Sequence, residues 1–172
     1  FPSDGTELLR AMFERGMTNV AVGLMWDPLA VFICHDVGPG TKLVLRIGGK
    51  ACRSSGIPMD LNVVVERVYK EVVIPARPAQ RQGDINLGDV TVVRCGEAEL
   101  ILVSKRAFGY SPDVFRDLGV EPDDKQYLLL KHFRGDNHIN VWGSSSAVKK
   151  QPTTGITRPK WPWDDNPFDC VM

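Results

Sequence analysis

The sequence lacks an excess of charge of either sign, because its 21 basic residues are matched by 21 acidic ones. No segment carries the run of Lys and Arg that would follow a phosphate backbone, so we expect no nucleic-acid partner. The sequence also has no uninterrupted apolar run of about 18 residues and no charged segment leading into an apolar one. We therefore expect no membrane partner and no signal peptide in these residues.

Cysteine is scarce and never paired as C-x-x-C, since the four cysteines are widely spread. They are Cys34, Cys52, Cys95 and Cys170. This spacing indicates neither a zinc knuckle nor a redox motif and favours a reduced, cytoplasmic protein. The length of 172 residues fits one domain, residues 1–172, with a core of its own. Since the sequence begins with Phe1 and not Met, we expect upstream sequence to be missing.

Three helices are indicated by capping residues and apolar faces. They are residues 4–15, about 28–36 and 111–119. Asp4 is placed to cap the first helix, with Glu7 in a capping-box position three residues later. Asp27 caps the second helix and Pro28 takes its first position. In the third, "SPDVFRDLG", Ser111 is the expected cap, and a helix this short needs packing to persist.

Six strands are predicted from alternation, β-branched residues and glycine turns. They are residues 20–25, 41–50 (ending at the two glycines), 61–74, 90–95, 98–104 and 127–130. Residues 61–74 also repeat valine every four positions, as a helix would, but their β-branched density favours a strand. The predicted fold class is therefore mixed α/β, a β-sheet with flanking short helices. From Gln151 onward, we expect an extended tail rich in Pro and Trp.

The residues by themselves point to no defined chemistry. Cys34, His35 and Asp36 are adjacent, and adjacent helix positions point about 100° apart, which does not assemble a catalytic dyad. His132 and His138 match no spacing of metal ligands. The segments "GPGTK" and "GGK" complete no nucleotide-binding motif. Taken alone, the residues indicate a mixed α/β domain without an assignable activity.

An ordered set of segments is more specific than any one of them. It comprises "DGTELLRAMFERG", "VAVGLMWDPLAV", "VGPGTKLVLRIGGK", "SGIP", "GDVTVVRCGEAELILVSKR", "PDVFRDLGVEP", "KHFR" and "RPKWPWDD". Together they resemble the C-terminal domain of the microcystinase C family of metallopeptidase-like proteins. The similarity runs over essentially all 172 residues.

The resemblance implies a longer protein with an N-terminal α/β domain that carries the metal ligands. Zinc in that domain would activate water for cleavage of linear peptides or small amides, while this domain closes the active-site cleft. The expected partners are therefore its own N-terminal domain and a peptide or small amide substrate. No metal or other cofactor is expected in this chain, which should be inactive by itself.

The resemblance also suggests which residues form the site. Asp4 and Thr6 match the continuation of a glycine-rich family segment and are predicted to bind substrate. Lys131 and Arg134 flank a family motif ending in His-Phe and are predicted to do the same. His132, within that motif, is the predicted catalytic residue, approaching substrate or stabilising an oxyanion.

A non-catalytic binding or assembly module is the alternative function. The family usually has two or three residues between the lysine and the histidine of this motif, whereas Lys131 and His132 are adjacent here. Arg46 and Asp27 also match family positions. Their first interpretations are a charge on a strand and a helix cap. Upstream His, Asp and Glu ligands would favour the enzyme over the module.

Overall fold

The computed structural model describes residues 4–76, 83–107 and 113–130. Within them the helices and strands follow one another as α1 (Glu7–Glu14), β1 (Val20–Trp26), α2 (Pro28–Val37), β2 (Lys42–Ile47), β3 (Met59–Ile74), β4 (Ile85–Cys95), β5 (Ala98–Val103), α3 (Asp113–Asp117) and β6 (Tyr127–Leu130). Two short 3-10 turns, Arg53–Ser55 and Pro122–Asp124, complete the elements of these ranges. Among the described residues, none of the helices has the length and apolar character of a membrane span.

One sheet contains the six strands of the described ranges, in the order β2-β3-β4-β5-β1-β6. β1 lies parallel to both β5 and β6, whereas the pairs from β2 to β5 are antiparallel. The sheet is thus mixed, and short helices flank it. The predicted α/β fold class is confirmed.

Each face of the sheet carries its own apolar core. The first core joins α1 and α2 to the sheet; its buried side chains include Leu9, Met12, Val31, Leu45, Ile47, Leu100 and Leu102. The second core joins α3 to the opposite face; its buried side chains include Leu24, Leu87, Ile101, Phe115, Leu118 and Leu128. β1 is buried along almost its whole length because both faces are covered, which explains its continuous apolar sequence.

The ribbon formed by β2 and β3 bends back over the sheet. Followed across the sheet, the strand pairings place the first residue of β2 at the level of the start of β1. From there β2 runs antiparallel to β1, away from the carboxyl end of β1. Gly48, which follows β2, nevertheless donates a hydrogen bond to Asp27, at that carboxyl end. The pairing of β3 with β4 is irregular between Val65 and Arg67, and a bulge there permits the bend.

The helix predictions are confirmed except at one start. α2 begins at Pro28 with Asp27 as its cap, since the Asp27 carboxylate accepts from the Ala30 amide. The prediction that Asp4 caps the first helix is wrong, because α1 begins at Glu7 and no side chain caps it. The Asp4 carboxylate instead accepts hydrogen bonds from backbone amides of the loop after β2. Of residues 111–119, the helix occupies Asp113–Asp117, and the predicted cap Ser111 lies outside the described residues.

The strand predictions are confirmed, with longer central strands than expected. β3 is a strand and not a helix, and irregular pairings interrupt its register with β4. β4 begins at Ile85 and not near residue 90. The predicted C-terminal tail lies outside the described residues.

Candidate functional site

The carboxyl ends of β1 and β5 meet at one edge of the sheet. Trp26 is aligned with Val103, and the amide of Asp27 donates to the carbonyl of Val103 at 3.0 Å. From this edge β1 leads into α2 on the face of the first core, whereas the chain after β5 leads to α3 on the opposite face. In open α/β sheets, ligands bind outside the carboxyl ends of strands where connections leave toward opposite faces. This edge is therefore the candidate functional site.

A buried carboxylate, Asp27, joins three segments at this edge. Its side chain is 1% exposed and accepts hydrogen bonds from the amides of Ala30, at 3.1 Å, and Gly48, at 2.8 Å. The ammonium group of Lys50 lies 2.7 and 2.9 Å from its two oxygens. The same ammonium group donates to the Arg46 carbonyl at 2.6 Å. Asp27 thus ties the end of β1 and the start of α2 to the loop after β2.

Asp4 holds the same loop from the other side. Its carboxylate accepts from the amides of Lys50 and Ala51, each at 2.7 Å, and from the Ser55 hydroxyl at 2.6 Å. Burial raises the pKa of Asp4, but the hydrogen bonds from Ser55, Ala51 and Lys50 together outweigh it and hold the pKa below its ordinary value of 3.8. The charged form of Asp4 is therefore the one that the fold stabilises.

Thr6 completes the attachment of the N-terminal segment. Its hydroxyl lies 2.8 Å from the Ile57 carbonyl and 3.2 Å from the Ser55 carbonyl, and its amide donates to Ser55 as well. Asp4 and Thr6 are buried, and the polar atoms of their side chains are hydrogen-bonded to other residues of this chain. Direct substrate binding by either residue stays a prediction. The hydrogen bonds of the two residues hold the loop of residues 48–58 in place.

The glycine pair of "GGK" allows this close attachment. Gly48 and Gly49 have φ angles of 61° and 63°, which side-chain-bearing residues rarely adopt. The amide of Gly49 donates to the Asp4 carbonyl at 2.8 Å. Successive amides in such a turn form an anion-binding concavity, and here Asp27 and Asp4 are the anions. The sequence predicts that the strand ends at these glycines, but it does not show that two carboxylates, 23 positions apart in the chain, bind the amides of the turn.

A second arrangement, missed by sequence reasoning, lies at the same edge. The indole N–H of Trp26 donates to the Ser104 carbonyl at 3.0 Å. The guanidinium carbon of Arg106 lies 4.2 Å from the centroid of the Trp26 ring, a cation–π contact. Trp26 and Arg106 are 80 positions apart, and only the parallel pairing of β1 with β5 brings them together.

The remaining predicted site residues follow β6. Leu130, the last described residue, is aligned with Gly23 of β1. Lys131, His132 and Arg134 lie outside the described residues, so the catalytic role of His132 and the substrate-binding roles of the other two stay predictions.

The side chains of the adjacent residues Cys34 and His35 point in different directions from α2. Cys34 is buried in the first core, and burial raises the pKa of its thiol. The Nε2 atom of His35 lies 3.1 Å from the Val90 carbonyl oxygen. The two side chains thus serve different contacts.

The described residues do not fit a catalytic metal ion. Across residues 4–76, 83–107 and 113–130, no group of three or more His, Cys, Asp or Glu could hold one. The two buried carboxylates of the edge, Asp4 and Asp27, are already held by N–H, O–H and ammonium donors. A metal ligand must instead offer free lone pairs.

Known proteins resemble this chain along most of its length. Microcystinase C from Sphingomonas sp. is 33% identical over 169 residues, which cover 94% of this chain and 32% of the relative. The chain thus spans about a third of the length of that protein. A crystal structure of a protein from Mesorhizobium sp. BNC1, provisionally described as a metallopeptidase, has the same fold with a TM-score of 0.66. That likeness, at 21% identity, covers 75% of this chain and 26% of the other.

The family profile described as MlrC C-terminus matches residues 2–137. The match includes all the described segments, from the loop attachment at Asp4 to the end of β6. Because it covers well over half of the sequence, and because microcystinase C is similar over nearly all of it, the chain belongs to the MlrC C-terminus family.

Proposed function

We propose that this chain is the C-terminal domain of a metal-dependent peptidase or amidohydrolase similar to microcystinase C. In this proposal it closes the active-site cleft of an N-terminal domain that binds zinc. The observation that carries the proposal is the 33% identity to microcystinase C over 94% of this chain. Since the chain covers only 32% of that relative, the larger part of the relative has room for the metal-binding domain.

The attachment of the N-terminal segment supports this placement of the cleft. Asp4 is bound to residues 50, 51 and 55, in the loop that Asp27 also holds at the carboxyl end of β1. A domain that precedes Asp4 would therefore join this one beside the candidate site. The described residues offer no set of metal ligands, so the zinc would be held by the preceding domain.

The residues of this chain would then form one side of the active-site cleft, with polar groups along its edge. The loop of residues 48–58 is held by two buried carboxylates, which fixes its position without a metal ion. His132 is the proposed catalytic residue, and Lys131 and Arg134 are proposed to bind substrate; they follow β6, which runs parallel to β1 toward the same edge. Asp4 and Thr6 are proposed to bind substrate as well, and both hold the loop of residues 48–58 in place at this site.

The test compares the full-length protein with this chain alone. Metal content is measured by plasma mass spectrometry, and hydrolysis is followed on linear peptides and small amides. We expect about one zinc ion per full-length chain, none in this chain, and activity that follows the metal. Stoichiometric metal in this chain alone would contradict the proposal that the N-terminal domain binds the zinc ion. Peptide binding by a full-length protein without metal or hydrolysis would favour the non-catalytic binding module.

A cytoplasmic location belongs to the same proposal. Cys34, Cys52 and Cys95 are free thiols in the described residues, as expected in a reducing compartment. Fractionation of cells with an antibody to this chain would test the location directly.

A further inference from the structure

We propose that Arg106, stacked on Trp26, binds a carboxylate of the peptide substrate at the carboxyl edge of β1 and β5. The inference rests on the proposed function for its substrate class. It adds a specificity-determining residue and the chemical group that this residue recognises. Neither residue belongs to the set predicted from the sequence.

The Trp26 ring is a fixed platform. The ring packs against the second core, and its N–H is bound to the Ser104 carbonyl at 3.0 Å. The Arg106 guanidinium lies over this ring with its central carbon 4.2 Å from the ring centroid. Because the exposed arginine is already stacked, it loses less side-chain freedom when a ligand binds than a free arginine would.

The stacked guanidinium keeps its hydrogen-bonding edges available. Stacking uses its planar face, whereas its five N–H donors point outward in the plane. Among the described residues Arg106 makes no hydrogen bond or ion pair in addition to the ring contact. Arg46, Arg94 and Arg116 differ in this respect, since each is paired with carboxylates of this chain. Arg106 is therefore placed to receive a partner from outside the described fold.

A carboxylate is the group that fits this donor set. A guanidinium binds a carboxylate through two parallel hydrogen bonds, and the exposed Arg106 side chain offers such a pair of N–H donors. On a linear peptide, carboxylates occur at the C-terminus and on Asp or Glu side chains. The position is also where α/β sheets bind ligands, outside the carboxyl ends of parallel strands.

The experiment uses the full-length protein and four peptides of equal length. One has a free C-terminus and neutral side chains, and a second has the same sequence with an amidated C-terminus. The third and fourth are amidated and carry one Glu or its isostere Gln. Hydrolysis gives kcat and KM for each, and fluorescence polarisation of N-terminally labelled peptides gives binding independently of cleavage. The variants are Arg106→Gln and Arg106→Lys, with Arg15→Gln as the matched control, because Arg15 is exposed at the end of α1.

We expect Arg106→Gln to raise KM and the dissociation constant roughly tenfold for peptides with a carboxylate, with kcat little changed. Arg106→Lys should recover part of the loss, and Arg15→Gln should behave like the wild type. Dependence on the free C-terminus identifies the terminal carboxylate as the ligand, and dependence on Glu over Gln identifies a side-chain carboxylate. An equal effect on all four peptides, or none on any of them, would overturn the inference.

The two proposals fail in different ways. Binding that requires both the carboxylate and Arg106, without hydrolysis by the wild type, would support the Arg106 site and contradict the enzyme. Hydrolysis that Arg106→Gln leaves unchanged on every peptide would support the enzyme and contradict the Arg106 site.

Discussion

The ammonium nitrogen of Lys50 lies 2.7 Å from Oδ2 of Asp27, and the pair links the loop after β2 to the carboxyl end of β1. The Asp27 side chain is 1% exposed, whereas that of Lys50 is 27% exposed. Asp27 would therefore be left as a buried charge if Lys50 were removed, with only the amides of Ala30 and Gly48 to compensate it.

Lys50→Met should destabilise the fold. Loss of the ammonium leaves a buried carboxylate short of one partner, and we expect the free energy of unfolding to fall by about 2 kcal/mol, less than for a fully buried pair because water reaches Lys50. Urea titration followed by circular dichroism measures the change. Lys42→Met, on an exposed residue of β2, is the control and should stay within about 0.5 kcal/mol. If Asp27→Asn and Lys50→Met were strictly additive, the pair would not be coupled.

Asp4→Asn should remove a pH-dependent part of the stability. The pKa of Asp4 is lowered in the folded chain, so its contribution is present above the unfolded pKa and is lost as pH falls through the folded pKa. The wild type should therefore lose stability between about pH 4 and pH 2 more steeply than the variant. Unfolding free energies measured from pH 7 to pH 2 provide the comparison. Asp36→Asn, on an exposed residue of α2, serves as control, and identical slopes for wild type and Asp4→Asn would refute the prediction.

Gly48→Ala should cost more than Gly16→Ala. Both glycines have nearly the same φ, 61° and 63°, so the backbone strain of a side chain is shared, about 1 kcal/mol. A Cβ at Gly48 would also lie 2.5 Å from the Asp4 carbonyl oxygen and 2.7 Å from Cγ2 of Thr6, whereas a Cβ at Gly16 meets nothing within 4 Å. We expect Gly48→Ala to be the less stable variant by at least about 1 kcal/mol in chemical denaturation. Equal losses of stability in the two variants would mean that the loop shifts to accommodate the added methyl group.

Phe115→Ala should uncouple α3 from the sheet. Phe115 is fully buried, and its ring lies against the position of Gly23 in β1. Removal of the ring should lower the free energy of unfolding by about 3–5 kcal/mol, since a five-residue helix has little stability of its own. Phe115→Leu, which fills most of the space, should cost about 1.5 kcal/mol or less. Thermal unfolding distinguishes the two, and similar melting temperatures would contradict the packing role.

Local sequence signals predicted most of the elements. Asp27 followed by Pro28 marks the start of α2 because a carboxylate can accept from first-turn amides and proline lacks the donor that would be unused there. The β-branched density of residues 61–74 outweighed their four-residue repeat, and β3 is a strand. Asp4 misled the same reasoning, since an acidic residue before an apolar face satisfies the cap pattern wherever its side chain finally binds.

The candidate site could be predicted only in part. The glycine pair of residues 48 and 49 marks the end of a strand in the sequence, yet no local signal indicates that Asp4 and Asp27 bind the amides of this turn. The contact of Arg106 with Trp26 depends on two strands that are distant in the sequence and parallel in the sheet. Such contacts depend on strand order, and strand order is not encoded in any short window.

Local signals in the sequence specify which segments are helices and strands, and the ordered motifs identify the family, because caps, turns and apolar periodicity act over a few residues. The tertiary structure alone decided the bend of the β2–β3 ribbon, the burial of Asp4 and Asp27 with Lys50, and the stacking of Arg106 on Trp26. These features join residues far apart in the chain. They exist only once two cores have formed on opposite faces of one sheet, since packing of those cores fixes which strand ends meet.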